Sequence, residues 1–114
     1  MANDALTGQP ITDFKRLAQI WVRGEGKVRH YASPESALKA LAQLEKDGKD
    51  IRAIYAQAAD SGIKLLANQA WFVRNDKGEL SAFLLKSQAE RYAERNGGTA
   101  LDFVSANQKL VAGR

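Results

Sequence analysis

The residues most able to do chemistry lie together between positions 19 and 31. Trp21, Arg23, Lys27, Arg29 and Tyr31 fall in two short runs, Leu17–Arg23 and Lys27–Ala32, separated by Gly24-Glu25-Gly26. Alternating runs joined by a short glycine-containing loop predict a β-hairpin. A three-residue loop sets Arg23 opposite Lys27, Trp21 opposite Arg29 and Gln19 opposite Tyr31. All six share one face, because strand neighbours alternate sides. Cations interleaved with aromatics suit a nucleic-acid strand or an acidic protein surface. The simpler expectation for this face is solvent, with the Trp21 ring stacked under the Arg29 guanidinium.

The same register puts His30 on the apolar face with Ile20, Val22 and Val28. A half-buried, satisfied imidazole is expected there rather than a base or a ligand. There is no second histidine and no cysteine, so no metal site and no cofactor are expected. Asp47 and Asp50 sit in a turn. Glu90 and Glu94 sit at i, i+4 on a helix, interleaved with Arg91 and Arg95. Both pairs read as solvated faces, not as an acid–base couple. Gly24-x-Gly26 lacks the third glycine and the following helix of a phosphate loop. No catalytic residue is assigned, and the chain is not expected to be an enzyme.

These groups need a scaffold, and the composition bounds it. The 114 residues are 45% hydrophobic and 26% charged, which suits one folded domain with a core and excludes a mostly disordered chain. No apolar run is long enough to span a bilayer. Met1–Pro10 has no apolar h-region and does not read as a signal peptide. The net charge of +4 is shared evenly between the two halves. It permits an anionic partner without concentrating charge into a nucleic-acid arm.

Residues 1–16 read as a loose N-terminal extension. Ser33-Pro34-Glu35-Ser36 is a strong helix start, with serine as cap, proline at the first position and glutamate in the first turn. Ala37, Leu38, Leu41 and Leu44 share one face of the helix expected over 34–47. A strand follows over 51–56. Ile63–Leu66 is either a short helix or an extended lead-in. The order then repeats: strand 67–74, turn 75–78, strand 79–86, helix 87–96 and strand 99–104. Ser87-x-x-Glu90 has capping-box spacing, and Asn96-Gly97-Gly98 ends the helix. Residues 107–114 read as a polar tail. The expected fold is α+β: two tandem ββαβ units, 17–58 and 59–106, with antiparallel or mixed sheet and helices packed on one face. Trp21 would answer Trp71, Ala37 Ala89, Leu41 Ala93, and IRAIY TALDF. The expected core is Ile20, Val22, Val28, Leu38, Leu41, Leu44, Ile51, Ile54, Tyr55, Trp71, Val73, Leu84, Tyr92, Leu101 and Phe103.

AWFVRND followed by SAFLLKSQAERYAERNGGTALDF resembles the closing stretch of NosL-type proteins, the nitrous-oxide-reductase accessory lipoproteins. KVRHYASPESALKAL and DIRAIYAQ are similar to that family's first unit. The resemblance covers residues 20–106. It implies two ββαβ modules side by side and an extracytoplasmic accessory role in copper-enzyme maturation. The family's copper handling rests on an N-terminal cysteine and a methionine in the second unit. Here there is no cysteine, the only methionine is Met1, and the corresponding stretch reads RNDKGELSAF. No copper ligand carries over. The expected function is a NosL-like accessory or binding module without its own metal site, acting through a protein partner. The alternative is a small basic module that binds nucleic acid or an acidic protein through the first hairpin. The location would be periplasmic if a signal segment was removed, and cytoplasmic otherwise.

Overall fold

The first helix forms where its start signal lies. In the computed structural model, which describes residues 3–112 and the side chains through Gln108, α1 runs Pro34–Lys46. The Ser33 hydroxyl accepts from the Ser36 N–H at 3.2 Å. Ala37, Leu38, Ala40, Leu41 and Leu44 are buried along one stripe, and that stripe lies against strands β1 (Ala18–Val22) and β2 (Arg29–Tyr31). Strands β3 (Ile51–Gln57) and β4 (Lys64–Leu66) complete an antiparallel sheet ordered β2-β1-β3-β4. Of the two readings of Ile63–Leu66, the extended one is therefore observed.

The second unit repeats this order after a 3-10 turn at Ala67–Gln69. Strands β5 (Trp71–Arg74), β6 (Leu80–Phe83) and β7 (Thr99–Asp102) form a second antiparallel sheet ordered β6-β5-β7. Helix α2 (Lys86–Asn96) links β6 to β7. The fold is thus α+β, with two open sheets built from ββαβ units. A parallel contact occurs between the units as the isolated bridge Ala58–Ala82.

Apolar burial stacks the layers. Sheet 1 places Ala18, Ile20, Tyr31 and Ala56 against α1, and the other side of the same core takes Phe72, Leu80 and Ala82 from sheet 2. The opposite face of sheet 2 gives Trp71, Val73 and Phe83 to Ala89 and Ala93 of α2. Sheet 2 is therefore covered on both sides, which explains why WFV carries no polar alternation. Sheet 1 has one covered face. On its other face none of Gln19, Trp21, His30, Tyr55, Gln57, Lys64 and Leu66 is buried.

Several expectations are corrected. Residues 107–112 are not a tail: α3 spans Phe103–Ala112, and the Asp102 carboxylate accepts from the Ser105 N–H at 2.8 Å to open it. Residues 113 and 114 lie outside the described residues. The N-terminal segment is not loose from Asn3 onward. Ile11 is 1% exposed, and the buried Asp4 ties the segment to α1. The capping box at Ser87 and Glu90 does not form. Instead the helix starts one residue earlier, and the Gln88 side chain accepts from the Leu85 N–H at 3.0 Å. Leu84 and Tyr92 are surface residues, because β6 ends at Phe83 and Tyr92 leans over the outside of that ring.

The repeat is real in order but shifted in register. Tyr31 and Phe83 precede their helix caps by the same step, and their β-partners are Ala18 and Trp71. Trp71 therefore occupies the place of Ala18, not of Trp21. Ala56 and Asp102 are likewise equivalent, so IRAIY and TALDF are offset by two residues. The helix pairs Ala37–Ala89 and Leu41–Ala93 are equivalently placed. A chain-pattern match between tryptophans misplaces the strand, since an odd shift swaps its faces.

The second glycine of the α2 stop has a separate reason. Gly98 has φ +106, and a Cβ there would stand 2.6 Å from the Arg74 carbonyl oxygen and 3.0 Å from Val73 Cγ1. Helix α2 must return at once to β5, and only a bare Cα fits the approach. Gly98→Ala is expected to lower stability by about 2 kcal/mol through strain and backbone displacement. Urea denaturation checks this, and an unchanged midpoint would contradict it.

Candidate functional site

The open face of sheet 1 holds the best-formed group of exposed chemistry. The turn after β3 returns the chain as β4, which sets Lys64 beside Gln57 and Leu66 beside Tyr55. Tyr55 in turn lies opposite Gln19 on β1. The Trp21 and Tyr55 rings meet edge-to-face at 6.4 Å and 73°. Lys64 Nζ sits 4.4 Å from the Tyr55 centroid and 5.7 Å from the Trp21 centroid, so the ammonium is held by two π faces. Beside it lies a shallow cavity of about 190 Å³ lined by Leu17, Gln19, Tyr55, Gln57, Gly62 and Lys64. Trp21 remains 40% exposed and Leu66 is equally so. This is a wet, apolar-aromatic surface with two amides and one cation. The His30 imidazole shares this face, opposite Gln19.

The five hairpin residues are not brought to one face. Pairing runs Ala18–Tyr31, Gln19–His30 and Ile20–Arg29, one residue away from the expected register. The loop is the cause: the β1–β2 ladder ends at Ile20 and Arg29, and the connection between the two strands, residues 23–28, is longer than three residues. Tyr31 consequently faces the core and is 1% exposed. His30 moves to the open face beside Gln19. Arg29 shares the inner side of the sheet edge with Ile20, and its guanidinium donates to Glu25 at 2.9 and 2.7 Å. Those bonds hold the Glu25 carboxyl below its usual range. Arg23 does not oppose Lys27; its Nε lies 2.6 Å from Asp50 Oδ2. The ring partner of Trp21 is Lys64, not Arg29. Of the five, Trp21 and Lys27 stay exposed without a neutralising carboxylate.

Sequence reasoning missed Tyr55 and Lys64 as surface partners of Trp21. The signal for Tyr55 was available: with Ile54 packed on the core and Ala56 buried, alternation puts residue 55 on the far side. Lys64 carried no signal, since its place depends on the β3–β4 turn.

Soft-metal chemistry has little to work with. The chain has no cysteine, and its single methionine, Met1, lies outside the described residues. Among the described residues no group of three or more His, Cys, Asp and Glu side chains could hold a metal ion. Cu(I) favours thiolate and thioether sulfur, and the described residues contain neither. Among the described residues no helix is long and apolar enough to cross a membrane.

No protein-family model matches the sequence, and no curated protein matches it. A solved structure does: the copper chaperone NosL from Shewanella denitrificans, at 20% identity, with a TM-score of 0.74 over 91% of this chain and 88% of that one. The likeness spans most of both chains, and the resemblance read from the second unit holds at the level of fold: this chain has the fold of the NosL copper chaperone.

Proposed function

We propose that the chain is a non-catalytic NosL-like accessory module that acts through protein contacts and has no soft-metal site of its own. The observation that carries this reading is a copper chaperone's architecture without a sulfur atom among the described residues. A single imidazole, His30, is a poor replacement for thiolate and thioether ligands. What the fold offers instead is surface. Trp21, Tyr55 and Leu66 expose apolar area on an uncovered sheet, a composition enriched at protein contacts. The cation held over the rings, Lys64, gives that face a charge for orienting a partner.

An anaerobic Cu(I) competition tests the metal half of this reading. The full chain is titrated into Cu(I) held by a chromophoric sulfonated bathocuproine chelator, with tryptophan fluorescence followed in parallel. No withdrawal of Cu(I) and no change in emission are expected. Stoichiometric transfer of Cu(I) to the protein would overturn it.

A further inference from the structure

The chain outside the open sheet face contains a second concave feature, built where the two units meet. The Ala59 N–H donates to the Ala82 carbonyl at 2.8 Å, which anchors the turn after β3 alongside β6. That turn carries Asp60. With α2 it encloses a groove of about 250 Å³ whose exposed apolar wall is Tyr92, packed over the buried Phe83 with ring centroids 5.1 Å apart. Arg91 and Arg95 line the same groove. Arg16, Arg23 and Arg29 each have a carboxylate partner, whereas Arg91 and Arg95 have no hydrogen bond or ion pair among the described residues. Two free guanidiniums one helical turn apart, over an aromatic wall, are arranged to receive carboxylates.

We propose that this groove binds an acidic segment of a protein partner, with its carboxylates on Arg91 and Arg95 and an apolar side chain against Tyr92. The volume suits one or two side chains rather than a cofactor. Asp60 on the opposite lip, with Glu90 and Glu94 flanking the arginines on α2, selects among anions. A phosphate backbone offers the Asp60 carboxylate no hydrogen-bond donor and meets it as repulsion alone. A peptide can turn backbone N–H groups toward Asp60 while its own acids reach the arginines. The inference rests on the reading of the chain as a protein-contact module and names the chemistry of the partner.

The test uses the full chain, labelled with nitrogen-15, and an acetylated, amidated peptide Asp-Glu-Phe-Asp-Glu. Amide shifts are expected at Arg91, Tyr92 and Arg95. Affinity is expected to fall about ten-fold with the Asn-Gln-Phe-Asn-Gln peptide, and about ten-fold in the double variant Arg91→Ala, Arg95→Ala, because each removes the charge-assisted bonds. Alanine suits a helix surface, and retained amide dispersion shows that the variant is folded. No shift at millimolar peptide, equal binding by the double variant, or equal binding by oligothymidylate would each overturn the proposal. A tight Cu(I) complex would overturn the metal-free reading and leave this titration unaffected, whereas a silent titration overturns the groove alone.

Discussion

Phe72→Ala is expected to lower the unfolding free energy by about 3–5 kcal/mol, the range for emptying a large buried aromatic site. Phe72 is 0% exposed. It lies on the central strand of sheet 2, opposite Ala82 on one side and Leu101 on the other. Its ring reaches Phe103 at 6.5 Å and 49°. Both β-partners are small or half-buried, so the surrounding structure has little means of closing the void. The ring is also one of the few groups that tie sheet 2 to the core under α1. Against a typical total of about 5–15 kcal/mol the loss is large. Urea denaturation should show a lower midpoint with an unchanged slope, while Leu84→Ala, at an exposed position in the same unit, should stay within about 0.5 kcal/mol of the parent. Equal effects at the two positions would contradict the two-sided burial of sheet 2.

Asp4→Asn is expected to cost about 2–4 kcal/mol above pH 5, and the cost should shrink in acid. One carboxylate oxygen accepts from the Leu6 and Thr7 N–H groups at 2.8 and 3.0 Å. The other accepts from the Ala32 N–H and the Ser36 hydroxyl, both at 2.8 Å. An asparagine keeps one acceptor and turns an N–H toward the Ala32 donor, which is then buried without a partner. Burial by itself would raise the Asp4 pKa, but the bonds from Ala32, Thr7, Ser36 and Leu6 outweigh it and hold the carboxyl below its ordinary value. A group whose folded pKa is depressed stabilises the fold above its unfolded pKa and loses that contribution as pH falls through the folded one. The gap between parent and variant should therefore be full at pH 5–7 and narrow below about pH 4. Denaturation at a series of pH values checks this, since Glu25, Glu79 and Asp102 are common to both proteins and cancel in the difference. A gap that stays constant to pH 2 would show that the Asp4 charge is not what the clasp recognises.

Much of this fold is readable from local chemistry. Helix α1 follows from Ser33-Pro34 and the apolar stripe after it. The end of α2 follows from Asn96-Gly97, and β3 from the run at 51–56. Two hairpin–helix–strand units are legible because each is a local sequence of start and stop signals with a change of period between them. The candidate surface was only half legible. Trp21 is exposed as expected, yet its neighbours are Tyr55 and Lys64, which lie far along the chain. The groove beside α2 was not legible: Arg91 and Arg95 read as an ordinary solvated face until the turn at Asp60 and the Phe83 ring close around them.

Register and burial were decided elsewhere. A one-residue slip in the β1–β2 pairing turns Tyr31 inward and His30 outward. Strand alternation contains no information about that choice when the connecting loop is irregular. The second face of sheet 2, the anchoring of residues from Asn3 by Asp4, and the bridge of Arg16 to Glu35 and the Leu80 carbonyl all join segments distant in sequence. The amino-acid order alone determined which stretches become strands and helices, and that sulfur chemistry has no cysteine to use, because propensity, capping and composition act over a few residues. Which side chains meet at a surface was decided only when α1 and the two sheets packed, because burial of apolar area is a property of the whole chain and selects among registers that are locally almost equal in energy.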